Sequence, residues 1–308
     1  MEQDRREWDV LIVGGGPAGY GAALYAARAG LTALVLESTV PGGQIAQAET
    51  VENYPGIDTA VSGIALAERL RRGAERAGAK TVLTTVTALE RTETLKTAET
   101  RAGTFTGRAV IYAAGAAARR LEVPGEEALR GRGVSYCAAC DGAFFRGRDV
   151  AVVGGGNSAA SEALTLSRLC RRVYLLHRRD RLRAEQSAVR ALEQAKNVTF
   201  LWNTQPEAVL GKEAVTGLRY TDLTRGQSRE LRCDGVFAAI GRVPSTALLA
   251  GQLTLDEGGY VAADETTRTG LPGVFAAGDV RAKPLRQAVT AAADGAVAAH
   301  FAQEYLRR

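Results

Sequence analysis

The sequence is poor in histidine, methionine and cysteine, and it has no long apolar run. Its 308 residues include two histidines, one methionine and four cysteines, and no stretch of eighteen apolar residues that would predict a transmembrane helix. Residues 1–7 (MEQDRRE) alternate charges where a signal peptide requires a basic start and an apolar centre. We therefore expect a cytoplasmic protein with no membrane association.

Four cysteines are also too few for a disulfide framework in a chain of this length. Cys137 and Cys140 have the spacing of a redox pair or of half a zinc site, and Asp141 follows directly. A structural zinc site needs four ligands, but the remaining cysteines and both histidines are isolated in the sequence. We therefore expect no metal, a redox-active pair, and buried, inert thiols at Cys170 and Cys233.

Composition indicates a globular protein of ordinary kind. The chain is 46% hydrophobic and 24% charged, and its length favours two domains. The net charge of +5 is spread along the sequence, except for a dense group of arginines within residues 178–183. We therefore expect no nucleic-acid partner and a specific use for that arginine group.

One pattern occurs twice. Residues 9–13 (DVLIV) and 149–153 (DVAVV) are predicted strands, and each leads through a glycine turn, 14–19 (GGGPAG) or 154–159 (GGGNSA), into a predicted helix. In such units the first glycine makes the turn, the second admits phosphates to the backbone, and the third position packs the helix on the strand. The key positions for two dinucleotide sites are Gly14, Gly16, Gly19, Gly154 and Gly156.

The end of the second predicted strand distinguishes the two units. Glu37 and His177 lie at the same offset from the first glycine of their units. A carboxylate accepts hydrogen bonds from the ribose hydroxyls of adenosine, whereas arginines such as Arg178, Arg179 and Arg183 pair with a 2′-phosphate. The first site should hold an unphosphorylated dinucleotide and the second NADPH. A solvated basic surface is the alternative for the arginines.

The order of the remaining segments predicts a nested architecture. After each unit come a β-rich stretch and an apolar strand ending in glycine, at residues 109–115 and 235–241. Residues 272–279 and a helix from about residue 286 could complete the first unit. We expect an α/β fold of two Rossmann-like nucleotide-binding domains, each a parallel sheet with helices and a small antiparallel β insertion. Residues 1–118 and 245–308 would form one domain, with 119–244 inserted into it as the second.

Several motifs together carry a family resemblance. They are GGGPAG (14–19), PGGQ (41–44), VENYPG (51–56), CAACD (137–141), GGGNSA (154–159), HRR (177–179), GD (278–279) and RQA (286–288). In this order, and along essentially the whole chain, they resemble the low-molecular-weight, bacterial-type thioredoxin reductases. In the larger disulfide reductases the redox pair lies in the flavin domain, whereas here it immediately precedes the second glycine turn.

The resemblance implies a flavin domain at 1–118 and 245–308, an NADPH domain at 119–244, and a homodimer. The residues implied for FAD are Gly14, Gly16, Gly19, Glu37, Gln44, Asn53, Asp279, Gln287 and Ala288. Those implied for NADPH are Gly154, Gly156, Ser158, His177, Arg178, Arg179 and Arg183.

The resemblance also implies a relay in which a hydride passes from NADPH to FAD, the reduced flavin reduces the cysteine pair, and the pair reduces thioredoxin. Cys140 would face the flavin, Cys137 would attack the partner's disulfide, and Asp141 would donate a proton. An Asp-Gly turn without a catalytic role is the alternative for Asp141. Because the pair and NADPH share a domain, that domain would rotate on its two crossing segments, near residues 116–120 and 242–245.

Departures from the family pattern leave the partner open. Ala143 precedes Phe144 and Phe145 where the family usually has an aromatic pair directly after Asp-Gly, and Ala139 occupies a position where threonine is frequent. The disulfide of another thioredoxin-like or peroxiredoxin-linked protein is therefore an alternative substrate.

Other functions fit the sequence less well. An NADP(H)-binding flavoprotein sensor would have no need for the cysteine pair, and a ferredoxin-driven relative should lose the second glycine turn and its arginines. A flavoprotein serving a peroxidase would carry an extra N-terminal thioredoxin-like region, for which the residues before Gly14 leave no room. The sequence favours thioredoxin reductase activity.

Overall fold

The structure is a computed structural model that describes residues 7–48, 50–91 and 95–307. Its strands are β1 (Glu7–Val13), β2 (Ala33–Glu37), β3 (Lys80–Leu83), β4 (Val86–Arg91), β5 (Lys96–Thr100), β6 (Gly103–Tyr112), β7 (Ala116–Ala118), β8 (Val134–Ser135), β9 (Asp149–Val153), β10 (Arg172–His177), β11 (Val198–Trp202), β12 (Thr204–Gly211), β13 (Val215–Asp222), β14 (Gln227–Arg232), β15 (Gly235–Ala238), β16 (Arg242–Pro244) and β17 (Val274–Ala276). Its α-helices are α1 (Pro17–Arg28), α2 (Gly63–Arg76), α3 (Ala138–Asp141), α4 (Asn157–Ser167), α5 (Gln186–Gln194) and α6 (Ala288–Leu306).

The chain forms two compact units. The outer unit comprises Met1–Ala117 and Val243–Arg308, and the inserted unit comprises Ala118–Arg242. The chain passes between them twice, through β7 and β16. The predicted α/β fold with one nucleotide-binding unit inserted into another is confirmed.

The outer unit is built on a sheet with the strand order β3-β2-β1-β6-β5-β4, and β17 also pairs with β6. β1 lies parallel to both β2 and β6, whereas β5 lies antiparallel to β6 and to β4. β17 joins β6 in parallel, with Val274 opposite Val110, so a late segment of the chain completes this sheet. The β insertion of this unit is therefore continuous with the parallel sheet, because the long strand β6 belongs to both.

Alternation along β1 explains how this sheet acquires a core on both faces. Val10 and Ile12 belong to one buried cluster, and Leu11 and Val13 to another, because successive side chains of a strand point to opposite faces. A strand buried on both faces is typical of parallel sheets covered on both sides. The apolar run at residues 9–13 therefore forms a buried strand that leads directly into the first glycine turn.

Helices α1 and α6 pack closely on one face of the outer sheet. A Cβ added at Gly295 would overlap the Ala18 carbonyl, and one added at Gly21 would lie 2.6 Å from the Ala292 oxygen. Small residues at the crossing thus let the two backbones approach each other.

No helix within residues 7–48, 50–91 and 95–307 has the length and apolar character required to cross a membrane.

The inserted unit repeats the plan with a smaller sheet. Its parallel sheet has the order β11-β10-β9-β15-β8, and β12, β13 and β14 form a separate antiparallel sheet. Val150 and Val152 of β9 belong to one buried cluster and Ala151 and Val153 to another, as in β1. Parallel pairing of β8 with β15 places the segment that carries the cysteine pair at the edge of this sheet.

Candidate active site

Two glycines of the first turn are required by the chain itself. Gly14 has φ of +102°, and a Cβ added there would lie 2.5 Å from the Ala113 oxygen. A Cβ added at Gly19 would overlap the Gly14 carbonyl, so this position sets the close approach of α1 to the turn. These two glycines therefore shape the turn.

Gly16 differs because nothing in the chain requires a glycine there. Its φ is −80°, and the nearest atom to an added Cβ is the Gly42 oxygen at 3.8 Å. Gly16 is the N-cap residue of α1, and no side chain among the described residues caps this helix. The space beside the unsatisfied N–H groups of a twelve-residue helix fits a phosphate group.

Glu37 is buried at the end of β2, beneath the first turn. Its Oε2 accepts the Gly15 N–H (2.7 Å) and its Oε1 accepts the Thr39 N–H (2.9 Å). The hydroxyls of Thr39 and Ser38 also donate to Oε1 (3.2 and 3.4 Å), so this oxygen is fully engaged. Because a carboxylate has about four acceptor sites, two on each oxygen, Oε2 retains one site for a further hydroxyl donor.

Residues far apart in sequence meet elsewhere in the outer unit. Asn53 Nδ2 donates to Gln287 Oε1 (3.3 Å), and Gln287 is the N-cap residue of α6, which begins at Ala288. Gln44 lies in a 3₁₀ helix, Gly43–Gln47, and its Nε2 donates to the Ala116 carbonyl. The structure thus brings Asn53 and Gln287 together as a pair.

The turn that carries Asp279 is held by a buried ionic network. Asp294 of α6 accepts the Gly278 N–H (2.9 Å), the Arg281 Nε–H (2.9 Å) and the Lys283 ammonium (2.8 Å). Burial alone would raise the pKa of Asp294, but the hydrogen bonds from Arg281 and Lys283 outweigh it and lower the pKa. Sequence analysis missed this network; its one signal is an aspartate among the alanines of the predicted C-terminal helix.

The second glycine turn has the same division of roles. Gly154 has φ of +156°, and a Cβ added there would overlap the Ala239 carbonyl. At Gly156, φ is −103° and no atom lies within 4 Å of an added Cβ. Gly156 is the N-cap residue of α4, which no described side chain caps, and Ser158 is exposed in its first turn. This turn also leaves space for a phosphate at a helix start.

His177 is buried and lies against the second turn. A Cβ added at Gly155 would overlap its imidazole ring, which also meets Trp202 edge to face with centroids 6.5 Å apart. Burial, followed by the charges of Arg183 and its neighbours, lowers the pKa of His177. The imidazole is therefore neutral at pH 7, and its buried Nε2 has no hydrogen-bond partner among the described residues.

The predicted arginines surround this turn as exposed cations. Arg178, Arg179 and Arg183 are all exposed, and no described carboxylate forms an ion pair with any of them. The Arg183 N–H donates to the Gly155 carbonyl (2.7 Å), which fixes the backbone of Arg183 at the turn. The group remains available for an anionic ligand.

The cysteine pair forms a disulfide in the inserted unit. The Cα atoms of Cys137 and Cys140 are 5.3 Å apart, and Cys137 is the N-cap residue of the short helix α3. Cys137 is partly buried, whereas Cys140 is exposed. The pair therefore lies at the surface of its unit, as exchange with another molecule requires.

Ser135 connects the pair to Asp141. The Ser135 hydroxyl donates to Asp141 Oδ2 (2.5 Å), and Ser135 Oγ accepts the Cys137 N–H (3.1 Å). One side chain thus fixes the carboxylate relative to the first cysteine. Sequence analysis missed Ser135, and no motif would have indicated it.

Glu162 is a second carboxylate at the pair that sequence analysis missed. It lies on α4, and its Oε2 accepts the N–H of Ala138 (2.7 Å), the residue after Cys137. Burial raises the pKa of Glu162 to about 7; the Ala138 N–H and Arg242 oppose this shift and Asp141 adds to it. This carboxyl therefore titrates near neutral pH.

The remaining cysteines have no part in this arrangement. Cys170 and Cys233 are buried, as expected, and burial raises their pKa values to about 11 and about 12. Within the part of the chain that the structure describes, no cluster of histidine, cysteine, aspartate or glutamate could hold a metal ion.

The two aromatic residues after the pair have different environments. Phe145 is buried against Gly235 and meets Phe237 edge to face with centroids 5.2 Å apart. Phe144 is 45% exposed, so one large apolar side chain is accessible next to the disulfide.

Comparison with known proteins agrees with this arrangement. A family model described as pyridine nucleotide-disulphide oxidoreductase matches residues 8–295. A thioredoxin reductase of Treponema pallidum is 45% identical over 306 residues, covering 99% of this chain and 98% of that protein. A thioredoxin reductase of Mycolicibacterium smegmatis is 47% identical over 307 residues, covering 99% of both chains.

Solved structures lead to the same family. The crystal structure of thioredoxin reductase from Streptococcus pyogenes matches with a TM-score of 0.91 at 39% identity, covering 98% of this chain and 99% of that one. The thioredoxin reductase from Giardia duodenalis matches with a TM-score of 0.92 at 35% identity, covering 99% and 100%. The chain therefore belongs to the pyridine nucleotide-disulphide oxidoreductase family, among the thioredoxin reductases.

Proposed function

We propose that the protein is an FAD-dependent thioredoxin reductase that uses NADPH to reduce the disulfide of thioredoxin. The observation that carries this proposal is the surface disulfide Cys137–Cys140, with Asp141 held through Ser135, in the same unit as a glycine turn that has exposed arginines beside it. A disulfide that exchanges electrons needs access, a proton source and a reductant, and these features provide for all three.

The outer unit is proposed as the FAD-binding domain. The open space at Gly16 and the buried carboxylate of Glu37 fit a pyrophosphate and an unphosphorylated adenosine. Gly14 and Gly19 shape that turn, and Gln44, with the Asn53–Gln287 pair, is proposed to contact the isoalloxazine side of the cofactor. Asp279 and Ala288 complete the proposed set.

The inserted unit is proposed as the NADPH-binding domain. Gly154 shapes its turn, and Gly156 leaves space for the pyrophosphate. We propose that Arg178, Arg179 and Arg183 pair with the 2′-phosphate. A guanidinium group forms strong, charge-assisted hydrogen bonds with phosphate, often two in parallel. His177 is proposed to act in this site as a neutral ring beneath the turn, and Ser158 as a hydroxyl at the start of α4.

Bound in the outer unit by the residues named above, FAD would supply the redox chemistry that links hydride from NADPH to two-electron reduction of the Cys137–Cys140 disulfide. The chain's own residues then perform the exchange. The Cys137 thiolate attacks the partner's disulfide and forms a mixed disulfide, which releases one partner thiolate. Cys140 displaces the second partner thiolate and restores the Cys137–Cys140 bond, so one disulfide is formed and one is reduced. Asp141 is proposed to hold the proton that a leaving thiolate takes up.

Turnover with purified cysteine variants tests the proposal. NADPH oxidation should depend on added thioredoxin, and Cys137→Ser or Cys140→Ser should abolish it while NADPH still bleaches the flavin. Cys170→Ala, which removes a buried thiol, is the control and should retain turnover. The Cys137→Ser protein should show a long-wavelength thiolate–flavin absorbance from Cys140. The Cys140→Ser protein should trap thioredoxin as a mixed disulfide.

The same assay distinguishes the partner. Reduction of another thioredoxin-like or peroxiredoxin-linked disulfide, with no response to thioredoxin, would replace the proposed substrate and keep the chemistry. Full activity of either cysteine variant would contradict the relay. We further propose a cytoplasmic homodimer, which light scattering of the purified protein tests for the oligomeric state.

A further inference from the structure

Two carboxylates hold the short helix α3, which follows Cys137 and contains Cys140, one at each end. At its start, the Ala138 N–H donates to Glu162 Oε2 (2.7 Å). At its end, Asp141 accepts the Ser135 hydroxyl (2.5 Å), which in turn accepts the Cys137 N–H (3.1 Å). The relay needs one of these carboxylates as a proton source, so the second is unexplained by it.

We propose that Glu162 is a positioning residue for thiol–disulfide exchange: it fixes the amide next to Cys137, and its charge sets how readily the reduced cysteine pair ionises. This inference rests on the proposed function only for its biological meaning. The chemistry concerns the thiols of the chain itself and is measured without a partner protein.

Electrostatics makes the charge of Glu162 effective at the pair. The carboxylate is hydrogen-bonded to the residue adjacent to Cys137, in a partly buried position where charges interact more strongly than in water. An ionised Glu162 opposes formation of a second negative charge on a nearby sulfur, whereas a protonated Glu162 does not.

The surroundings of Glu162 bring its pKa close to neutral pH, where thiol–disulfide exchange is expected to run. Burial raises its pKa to about 7; the Ala138 N–H and the positive charge of Arg242 lower it, and the negative charge of Asp141 raises it. Arg242 and Asp141 are the charged groups, among the described residues, that shift the pKa of Glu162. The sign follows: above pH 7 Glu162 is ionised and suppresses thiolate formation, and below pH 7 the suppression is relieved.

A purely structural role for Glu162 makes a different prediction. Glutamine keeps an oxygen that accepts the Ala138 N–H but carries no charge, so Glu162→Gln should leave the pH profile unchanged if the side chain only caps the helix. If its charge matters, Glu162→Gln should shift the thiol titration. Glu162→Asp, which keeps the charge, should retain the wild-type profile.

Alkylation of the reduced pair tests this. The protein is reduced with dithiothreitol, freed of it anaerobically, and treated with iodoacetamide between pH 5.5 and 9, with modification of Cys137 and Cys140 followed by mass spectrometry. The wild type should show an inflection near pH 7 in addition to the thiol titration itself. Glu162→Gln should lose that inflection and react about three- to tenfold faster at pH 7.5, since one pKa unit is tenfold in thiolate.

Controls make each outcome decisive. Glu193→Gln removes an exposed carboxylate from α5 of the same unit and should match the wild type. Superimposable profiles for the wild type and Glu162→Gln overturn the inference. If Glu162→Gln does not fold, a wild-type profile without an inflection near pH 7 overturns it instead. Failure to reduce thioredoxin would defeat the proposed function but leave these alkylation profiles unaffected.

Discussion

The outer and inserted units carry the same strand–turn–helix element but differ in the side chain beneath the turn. In both, a later backbone N–H closes over the turn at the same place: Gly42 donates to the Gly15 carbonyl (2.7 Å) and Arg183 to the Gly155 carbonyl (2.7 Å). Below the first turn the Glu37 carboxylate accepts an N–H, whereas below the second an imidazole fills the space. The glycines thus determine the backbone, and the strand-end residue is left to determine the ligand.

The largest expected effect concerns the arginines, which lie beside the second turn and have no counterpart at the first. Replacing Arg178 and Arg179 by alanine should weaken NADPH binding about a hundredfold or more, because each lost charge-assisted bond costs about 1.5–3 kcal/mol. NADH binding should change little, since it lacks the 2′-phosphate. Titration of each nucleotide by fluorescence measures the two affinities.

Arg190→Ala is the matched control for that prediction, because it removes an exposed guanidinium from α5 of the same unit. It should leave both affinities near the wild-type values. Equal losses for NADPH and NADH in the Arg178/Arg179 variant would show that the arginines serve the fold.

The next effect tests the two open glycines against each other. Gly16→Ala should reduce FAD retention and Gly156→Ala should reduce NADPH affinity, each about ten- to hundredfold, because the added methyl group occupies the proposed phosphate position. Neither methyl would overlap the protein, so the free energy of unfolding should fall by about 1 kcal/mol or less in each. Flavin content and nucleotide titration measure the binding, and urea unfolding of the apoprotein measures stability. A variant that loses stability without losing its ligand would reverse this interpretation.

A smaller effect separates the central glycines. Gly155→Ala should destabilise the protein by about 1–3 kcal/mol, because its methyl group overlaps the His177 ring. Gly15→Ala, whose Cβ would lie 3.1 Å from the Glu37 Cβ, should cost less. Urea unfolding of both variants checks the order. Adding His177→Ala to Gly155→Ala should recover part of the loss, and strict additivity of the two changes would contradict the overlap.

The smallest effect is a pH dependence confined to the second turn. Because burial lowers the pKa of His177, the unfolded chain binds a proton that the folded chain does not, so its contribution to stability is complete above about pH 6.5 and is lost as pH falls through the lowered folded pKa. Unfolding free energies between pH 7.5 and 5.5 should therefore fall more for the wild type than for His177→Asn. Equal slopes for the two proteins would show that His177 titrates normally.

Sequence reasoning succeeded where the signal is local. A strand, a glycine turn and a helix follow one another within about thirty residues, so the pattern predicts β1 with α1 and β9 with α4 directly. The sequence also allowed us to predict that β17 completes the outer sheet, because the apolar run at residues 272–279 belongs to neither of the two strand–turn–helix units.

The residues that were missed all act through contacts that depend on the folded path of the chain. Glu162 contacts Ala138, and Asp294 contacts Gly278 and Arg281, through hydrogen bonds that depend on how separate elements pack. Ser135 lies close to Asp141 in sequence, but its bond depends on the particular path of the chain around α3. No periodicity or spacing encodes such contacts, so they appear only once the fold is known.

The origin of β17 has a consequence for synthesis on the ribosome. β6 is made long before its parallel neighbour β17, and the entire inserted unit is translated between them. At about 5–20 residues per second, the outer sheet stays incomplete for on the order of 10–30 s, because Val110, Ile111 and Tyr112 of β6 gain their second neighbour only when β17 is made. The inserted unit, whose own strands are then all available, can fold in that interval. The outer unit can close only after α6 has left the exit tunnel, so the inserted unit of the nascent chain should fold before the outer unit does.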